Sequence, residues 1–378
     1  MIRFLTLISY LFIALTDVHA APTSCSENQC IAVIDAGSTG SRLHVFAYDL
    51  DETNTATHIK EIWSKKITPG LATIQVNQST IDTYLTTLFS EAPQQPMPVY
   101  FYATAGMRLL PQNKQKIYYQ AVQNWFNQQS DWQLAEAKTI SGNDEALYDW
   151  LAVNYHLDTF KSSSKEPIGV MDIGGASVQI VFPIEKNTNP DSNSQVELDL
   201  YGRHISLFVH SFLGIGQNEM THQLLDNNSC FPDGYVLPDG NLAHGDASLC
   251  KEEVSVLINQ VHKVKQEIQP IIAANHISSW YAIGGIAYLV DSKPFQFQDN
   301  QISNQDLLQQ ANSLICHQQW KDLGAEFPDD ESIETFCLLP AFYYALMVEG
   351  YGISANQPVN YVPAAKNVDW SIGVVLYH

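Results

Sequence analysis

Two stretches of this chain carry residue types suited to gripping a phosphate. Residues 31–46 read IAVIDAGSTGSRLHVF and residues 168–182 read IGVMDIGGASVQIVF. In each copy an apolar run ends in Asp, a tight turn of small residues follows, and an alternating run leads away, a pattern that predicts strand, turn, strand. Such a turn offers backbone N–H groups and hydroxyls to phosphate oxygens, while an Asp at the strand end holds a cation through water. The candidates are Asp35 and Asp172 for the cation, Gly37, Ser38, Thr39, Gly40, Ser41 and Arg42 for one phosphate, and Gly174, Gly175, Ala176 and Ser177 for another. A hairpin that served only the fold has no need of a carboxylate at the end of a buried strand, where an unpaired charge is costly. The repetition in register predicts two loops facing each other across one nucleotide. The structural alternative is that each Asp caps its own turn and that Arg42 pairs with a surface carboxylate.

Two further segments sit where chemistry is expected. Thr104, Ala105, Gly106, Met107 and Arg108 follow a predicted buried strand at 99–103, and ligand sites of α/β folds lie at the carboxyl ends of strands; a plain helix start capped by Thr104 is the alternative. Ser141-Gly142-Asn143-Asp144-Glu145 has the form of a helix N-terminus with an acidic first turn. Helix-dipole preference accounts for both acids, yet Glu145 is also a candidate general base. No His is placed to make a covalent nucleophile of Ser38.

Elements able to position these residues follow from periodicity. Helices are predicted over 80–90, 112–129, from near 141, and over 211–227, 246–274, 304–320 and 331–349. Residues 280–290 read as a strand entering a turn, and the apolar tail 370–377 as a terminal strand returning to the first domain. Alternating strands and helices predict an α/β class. The polar, Ser-rich stretch 161–167 marks a boundary, with residues 21–160 plus 362–378 in an N-terminal domain and 161–361 in a C-terminal one. Residues 185–195 are expected to form a surface loop.

Residues 1–20 have the form of a secretory signal, with Arg3, an apolar core and a Val18-His19-Ala20 cleavage site. Export to the periplasm or the extracellular medium is therefore expected, with no transmembrane anchor. Six cysteines in an exported chain argue for disulfides. Fifteen pairings are possible, and proximity favours Cys25–Cys30, Cys230–Cys250 and Cys316–Cys337. With 19 Lys and Arg against 40 Asp and Glu, the net charge of −21 excludes a nucleic-acid-coating protein. An anionic substrate would have to arrive with divalent cations.

Four motifs, DAGSTGSR, ATAGMR, SGNDEALYDWLAVNY and DIGGASVQIVF, in this order and spacing, resemble the conserved regions of the apyrases, the ecto-nucleoside triphosphate diphosphohydrolases. Trp370-Ser371-Ile372-Gly373 resembles their last region and Pro69-Gly70-Leu71 a lesser one. The resemblance implies an actin-like (ribonuclease H-like) duplicated fold with the nucleotide in a cleft between two domains. It also implies Mg2+ or Ca2+ as cofactor, and hydrolysis of nucleoside tri- and diphosphates such as ATP and ADP to the monophosphate by direct attack of water. Carried over by motif, Glu145 is the base, Ser177 and Gln179 help place the water, and Asp35 and Asp172 hold the hydrated cation with Thr104 and Trp370 near it. Tyr288, Tyr343 and Tyr344 are the candidates for stacking on the base, a role that suits broad specificity; core aromatics are the alternative. A monomer is expected. A kinase or exopolyphosphatase of the same superfamily and a nucleotide-binding module without turnover are the competing readings.

Overall fold

The computed structural model describes residues 25, 29–160, 166–185, 192–328, 330, 332–366 and 368–378. The signal segment lies outside the described residues, as do 161–165 of the boundary stretch and 186–191 of the expected loop.

Each Asp-tipped motif forms the hairpin expected of it. In the first, β1 (Cys30–Ala36) pairs antiparallel with β2 (Ser41–Leu50), and β2 pairs with β3 (Ala56–Ile67). On its other side β1 lies parallel to β4 (Met97–Ala103), which lies parallel to β5 (Trp132–Thr139). The second hairpin is β6 (Gly169–Ile173) with β7 (Ser177–Pro183), extended through β8 (Gln195–Leu200) and β9 (Arg203–Leu213). Beyond β6 come β10 (Trp280–Gly284), β11 (Gln301–Ile302) and β12 (Val359–Tyr361). The sheet orders are β3-β2-β1-β4-β5 and β11-β12-β10-β6-β7-β9-β8. Within the second, β9-β7-β6-β10-β12 repeats the first in order and strand direction. β1 and β6 are therefore central strands, buried on both faces, which is why their sequences are continuous apolar runs rather than alternations.

Three cores result. One lies on the outer face of the first sheet under the helices Gln78–Phe89 and Gln112–Phe126, and one fills the second half around β6, β10 and the late helices. The third joins the two sheets and holds Trp150, Tyr102, Val170, Val209 and Val374. The helix Gly142–His156 runs through that middle core, started by a capping box of Ser141 and Asp144. Trp150 is fully buried there, and its Nε1 donates to the Ile168 carbonyl at 2.8 Å.

The tail departs from expectation. Instead of a strand, Ser371–Tyr377 is a helix against Gly142–His156. The β-branched run favours a strand locally, but the Asp369 carboxylate accepts from the Ser371 N–H and turns the chain. A Cβ at Gly373 would meet the Tyr148 carbonyl at 2.1 Å, so only Gly lets the two helices close to this distance. The region 211–227 starts as the end of β9, with a helix only over Gln217–Gln223 and turns on either side of it. The long helix expected over 246–274 breaks where Lys263 takes a left-handed conformation with φ 58°. Gly285–Asp291 is a short helix where a turn was expected. All three disulfides form in the pairing that proximity favours. Among the described residues no helix is long and apolar enough to cross a membrane.

Gly373→Ala should destabilise the protein by about 1–3 kcal/mol, the usual range for overpacking. A thermal melt checks this, and an unchanged midpoint would show that the helix contact relaxes freely.

Candidate active site

The two hairpin turns meet. A Cβ placed on Gly175 would lie 3.3 Å from Ser38 Oγ and 2.9 Å from Asn218 Nδ2, and one on Gly106 would lie 2.8 Å from Ser38 Cα. The Ser38 loop is thus enclosed by backbone from the second hairpin and from the turn after β4, and any larger residue at 106 or 175 would push it away. Gly37, Ser38 and Thr39 remain open to solvent in part, whereas Gly40 and Ser41 are buried. The Ser41 hydroxyl accepts from Tyr84 at 2.9 Å and braces the loop from inside.

The register of the hairpins sets what stands opposite each Asp. Arg42 pairs with Asp35 across the first, and Gln179 pairs with Asp172 across the second. Equivalent positions therefore carry a cation in one copy and an amide in the other.

Glu145 sits in the first turn of its helix, 7% exposed. Arg108 Nη2 donates to its Oε2 at 2.6 Å and Gln179 Nε2 to the same oxygen at 3.1 Å. Both donors also reach Ser177 Oγ, Arg108 at 3.1 Å and Gln179 at 2.8 Å. Glu145, Ser177 and Gln179, far apart in sequence, converge as the motifs implied. Burial raises the Glu145 pKa above its ordinary value, and the Arg108 guanidinium opposes the rise.

Beside this cluster lies a cavity of about 180 Å³ walled by Arg42, Asp149, Asp172, Tyr288, Asp369 and Trp370, among others. Burial, followed by the charges of Glu145 and Asp369, pushes Asp172 up to about 7. Asp35 and Asp149 are raised well above the carboxylate range by burial and by neighbouring acids. Asp369 is the exception: burial pushes it up, but His44 and the hydrogen bonds from Ser371 outweigh that and hold it low. The His44 ring is itself fixed, with Nδ1 2.6 Å from Glu61 Oε1 and Nε2 3.6 Å from Asp369 Oδ2. Thr104 is buried at the end of β4, its N–H donating to the Ala36 carbonyl beside Asp35.

The three tyrosines separate. Tyr288 is 64% exposed and lines both this cavity and an adjoining one of about 360 Å³ with Gln217, Asn218, Thr221, Phe336 and Leu339. Tyr343 lies in the core with no exposed ring face, its hydroxyl donating to Gln217 Oε1 at 2.9 Å. Tyr344 packs under Lys251, whose ammonium lies 5.3 Å from the ring centre, and lines neither cavity. Burial of the apolar late helix accounts for both departures.

Arg108, Asp149 and Asp369 went unassigned in the sequence. Asp149 had a signal, since it follows Glu145 by four residues and so shares its helix face. Asp369 adjoins Trp370, and Arg108 closes the ATAGMR motif. Gln217 and Asn218, whose N–H groups donate to the carbonyls of Gly174 and Gly175, had none.

Among curated relatives, the nucleoside-diphosphatase mig-23 of Caenorhabditis elegans is 25% identical over 97% of this chain and 80% of its own length. The mouse ectonucleoside triphosphate diphosphohydrolase 2 is 26% identical over 91% of this chain and 80% of its own. Two solved structures share the fold: the nucleoside triphosphate hydrolases from Neospora caninum, with a TM-score of 0.56 at 15% identity, covering 92% of each chain, and the Ppx/GppA family member of Aquifex aeolicus, with a TM-score of 0.56 at 14% identity, covering 92% of this chain and 97% of that one. This is the duplicated actin-like fold. The model of the GDA1/CD39 (nucleoside phosphatase) family matches residues 23–378, nearly the full length, and the chain belongs to that family.

Proposed function

We propose that this protein is an exported, divalent-cation-dependent hydrolase that removes terminal phosphates from nucleoside tri- and diphosphates and stops at the monophosphate. The observation that carries the reading is the contact of the two Asp-tipped loops at Ser38 and Gly175 beside the Glu145, Ser177 and Gln179 cluster. Export rests on the 1–20 segment and the disulfides. The division into residues 21–160 plus 362–378 and residues 161–361 rests on the two repeated sheets.

The residues fit a divalent cation. Asp35 Oδ1 is buried without a hydrogen-bond partner, and Asp172 feels the acids Glu145 and Asp369 against the single base Arg108. Among the described residues no three candidate side chains stand close enough to ligate one ion directly, which agrees with Asp35 and Asp172 holding a hydrated Mg2+ or Ca2+ near Thr104 and Trp370. When bound, the ion offsets charge on the phosphate oxygens.

The chain's own residues supply the rest. Both donors to Glu145 converge on Oε2, which leaves Oε1 to take a proton from water, and the raised pKa brings the carboxylate closer to working pH as a base. Ser177 Oγ and the Gln179 amide hold that water, and backbone N–H groups of 37–42 and 174–177 with Arg42 receive phosphate oxygens. Tyr288 stacks on one face of the base, beside the pocket of Gln217, Asn218 and Thr221.

Phosphate release from ATP, ADP, AMP and polyphosphate tests the reading. ATP and ADP should be cleaved and the other two spared, with activity lost in EDTA; cleavage of polyphosphate in preference to ADP would favour an exopolyphosphatase. Glu145→Gln should lower kcat by about 10²–10⁴-fold with KM nearly unchanged, the usual weight of a general base; a variant as fast as the parent would remove Glu145 from that role. Tyr288→Ala should raise the KM for ATP about fivefold or more at similar kcat, given what base stacking contributes, and Tyr288→Phe should restore it. Equal KM values in all three proteins would place the base elsewhere.

A further inference from the structure

Asp149 has no role in the chemistry described so far and none in the fold. It stands one turn beyond Glu145 on the same helix, 3% exposed, and its Oδ2 has no hydrogen-bond partner. Its neighbours do the packing: Tyr148 meets Gly373 and Trp150 anchors the helix to Ile168. The Asp149 side chain instead lines the 180 Å³ cavity with Asp172, Asp369 and Trp370.

The strongest charges acting on it are acids. Glu145 comes from its own helix, Asp35 from β1, Asp172 from β6 and Asp369 from the turn before the last helix. Arg42 shares the cavity wall, while Arg108 is engaged with Glu145. A buried carboxylate oxygen left unpaired amid four other acids is strongly unfavourable unless a cation meets it. Replacing Asp149 by an apolar residue of similar size would relieve that cost at once, so its presence points to a ligand rather than to stability.

We infer that Asp149 is a third carboxylate of the hydrated divalent-cation site, sharing the cavity with Asp172 and Asp369. Among the described residues no three such side chains form a direct ligand set, so Asp149 acts on the ion's water shell, and its helix ties that shell to Glu145 one turn away. The assignment rests on the reading that a divalent cation binds here, and it adds a residue to which that reading gave no part.

Calcium binding to the mature chain tests it. Calorimetric titration of Ca2+ into the parent should show a standing site, and Asp149→Asn should raise its dissociation constant about tenfold or more, as loss of an outer-shell carboxylate does. In EDTA the Asn variant should melt above the parent, because a buried like charge is gone, and the gain in Tm from added Ca2+ should shrink. Asp149→Ser, which also removes the charge, serves if the Asn variant does not fold. Equal Ca2+ constants in parent and variant overturn the inference whatever the melting shows. So does a parent that binds no Ca2+; if that parent also leaves ATP intact, the hydrolase reading falls with it. EDTA-sensitive ATP cleavage combined with equal constants removes Asp149 alone.

Discussion

Repulsion among Asp35, Glu145, Asp149, Asp172 and Asp369 is the force against which the rest of the chain is braced. Asp35, Glu145 and Asp172 each feel Asp369, and Asp149 feels all four. Left on loops, such a set would splay apart. They are instead held by two central strands, one buried helix and a capped turn, each locked into a core. Arg108 and His44 restrain individual members, Arg108 through Glu145 and His44 through Asp369.

The duplication supplies two grips and then divides the work between them. Arg42 and Gln179 occupy the same register position opposite their Asp residues. In the first copy the guanidinium places positive charge beside Asp35. At the second, Glu145 already has one cation, Arg108, on its Oε2, and a further one would lower its basicity more. A neutral amide keeps the hydrogen bonds to Glu145 and Ser177 without that penalty. The two hairpins share a backbone and differ in the charge they place opposite the Asp.

Much of this was legible in the residues. Buried strands announce themselves as apolar runs, and the Asp at the tip of each stands out because it is expensive there. The convergence of Glu145 with Ser177 and Gln179 came from resemblance rather than spacing, since nothing local says that residues on a helix and on a strand of the other sheet meet. Failures clustered where tertiary contact overrides propensity. Val374, Val375 and Leu376 favour a strand, but Asp369 and Gly373 together impose a helix on them. Tyr343 looked available for a ligand because aromatic residues on an amphipathic helix do not reveal which face the rest of the chain will cover. Arg108 was hidden for a related reason: its partner lies on another element.

The position of Ser371–Tyr377 ties segments far apart in the sequence into one packing unit. Val374, Val375 and Leu376 fill the same core as Ile31 and Val33, contributed near the opposite end of the sequence. Seated on the helix Gly142–His156, that last turn carries Asp369 and Trp370 into the wall of the acid-lined cavity, so the shape of the cavity depends on contact between distant parts of the chain.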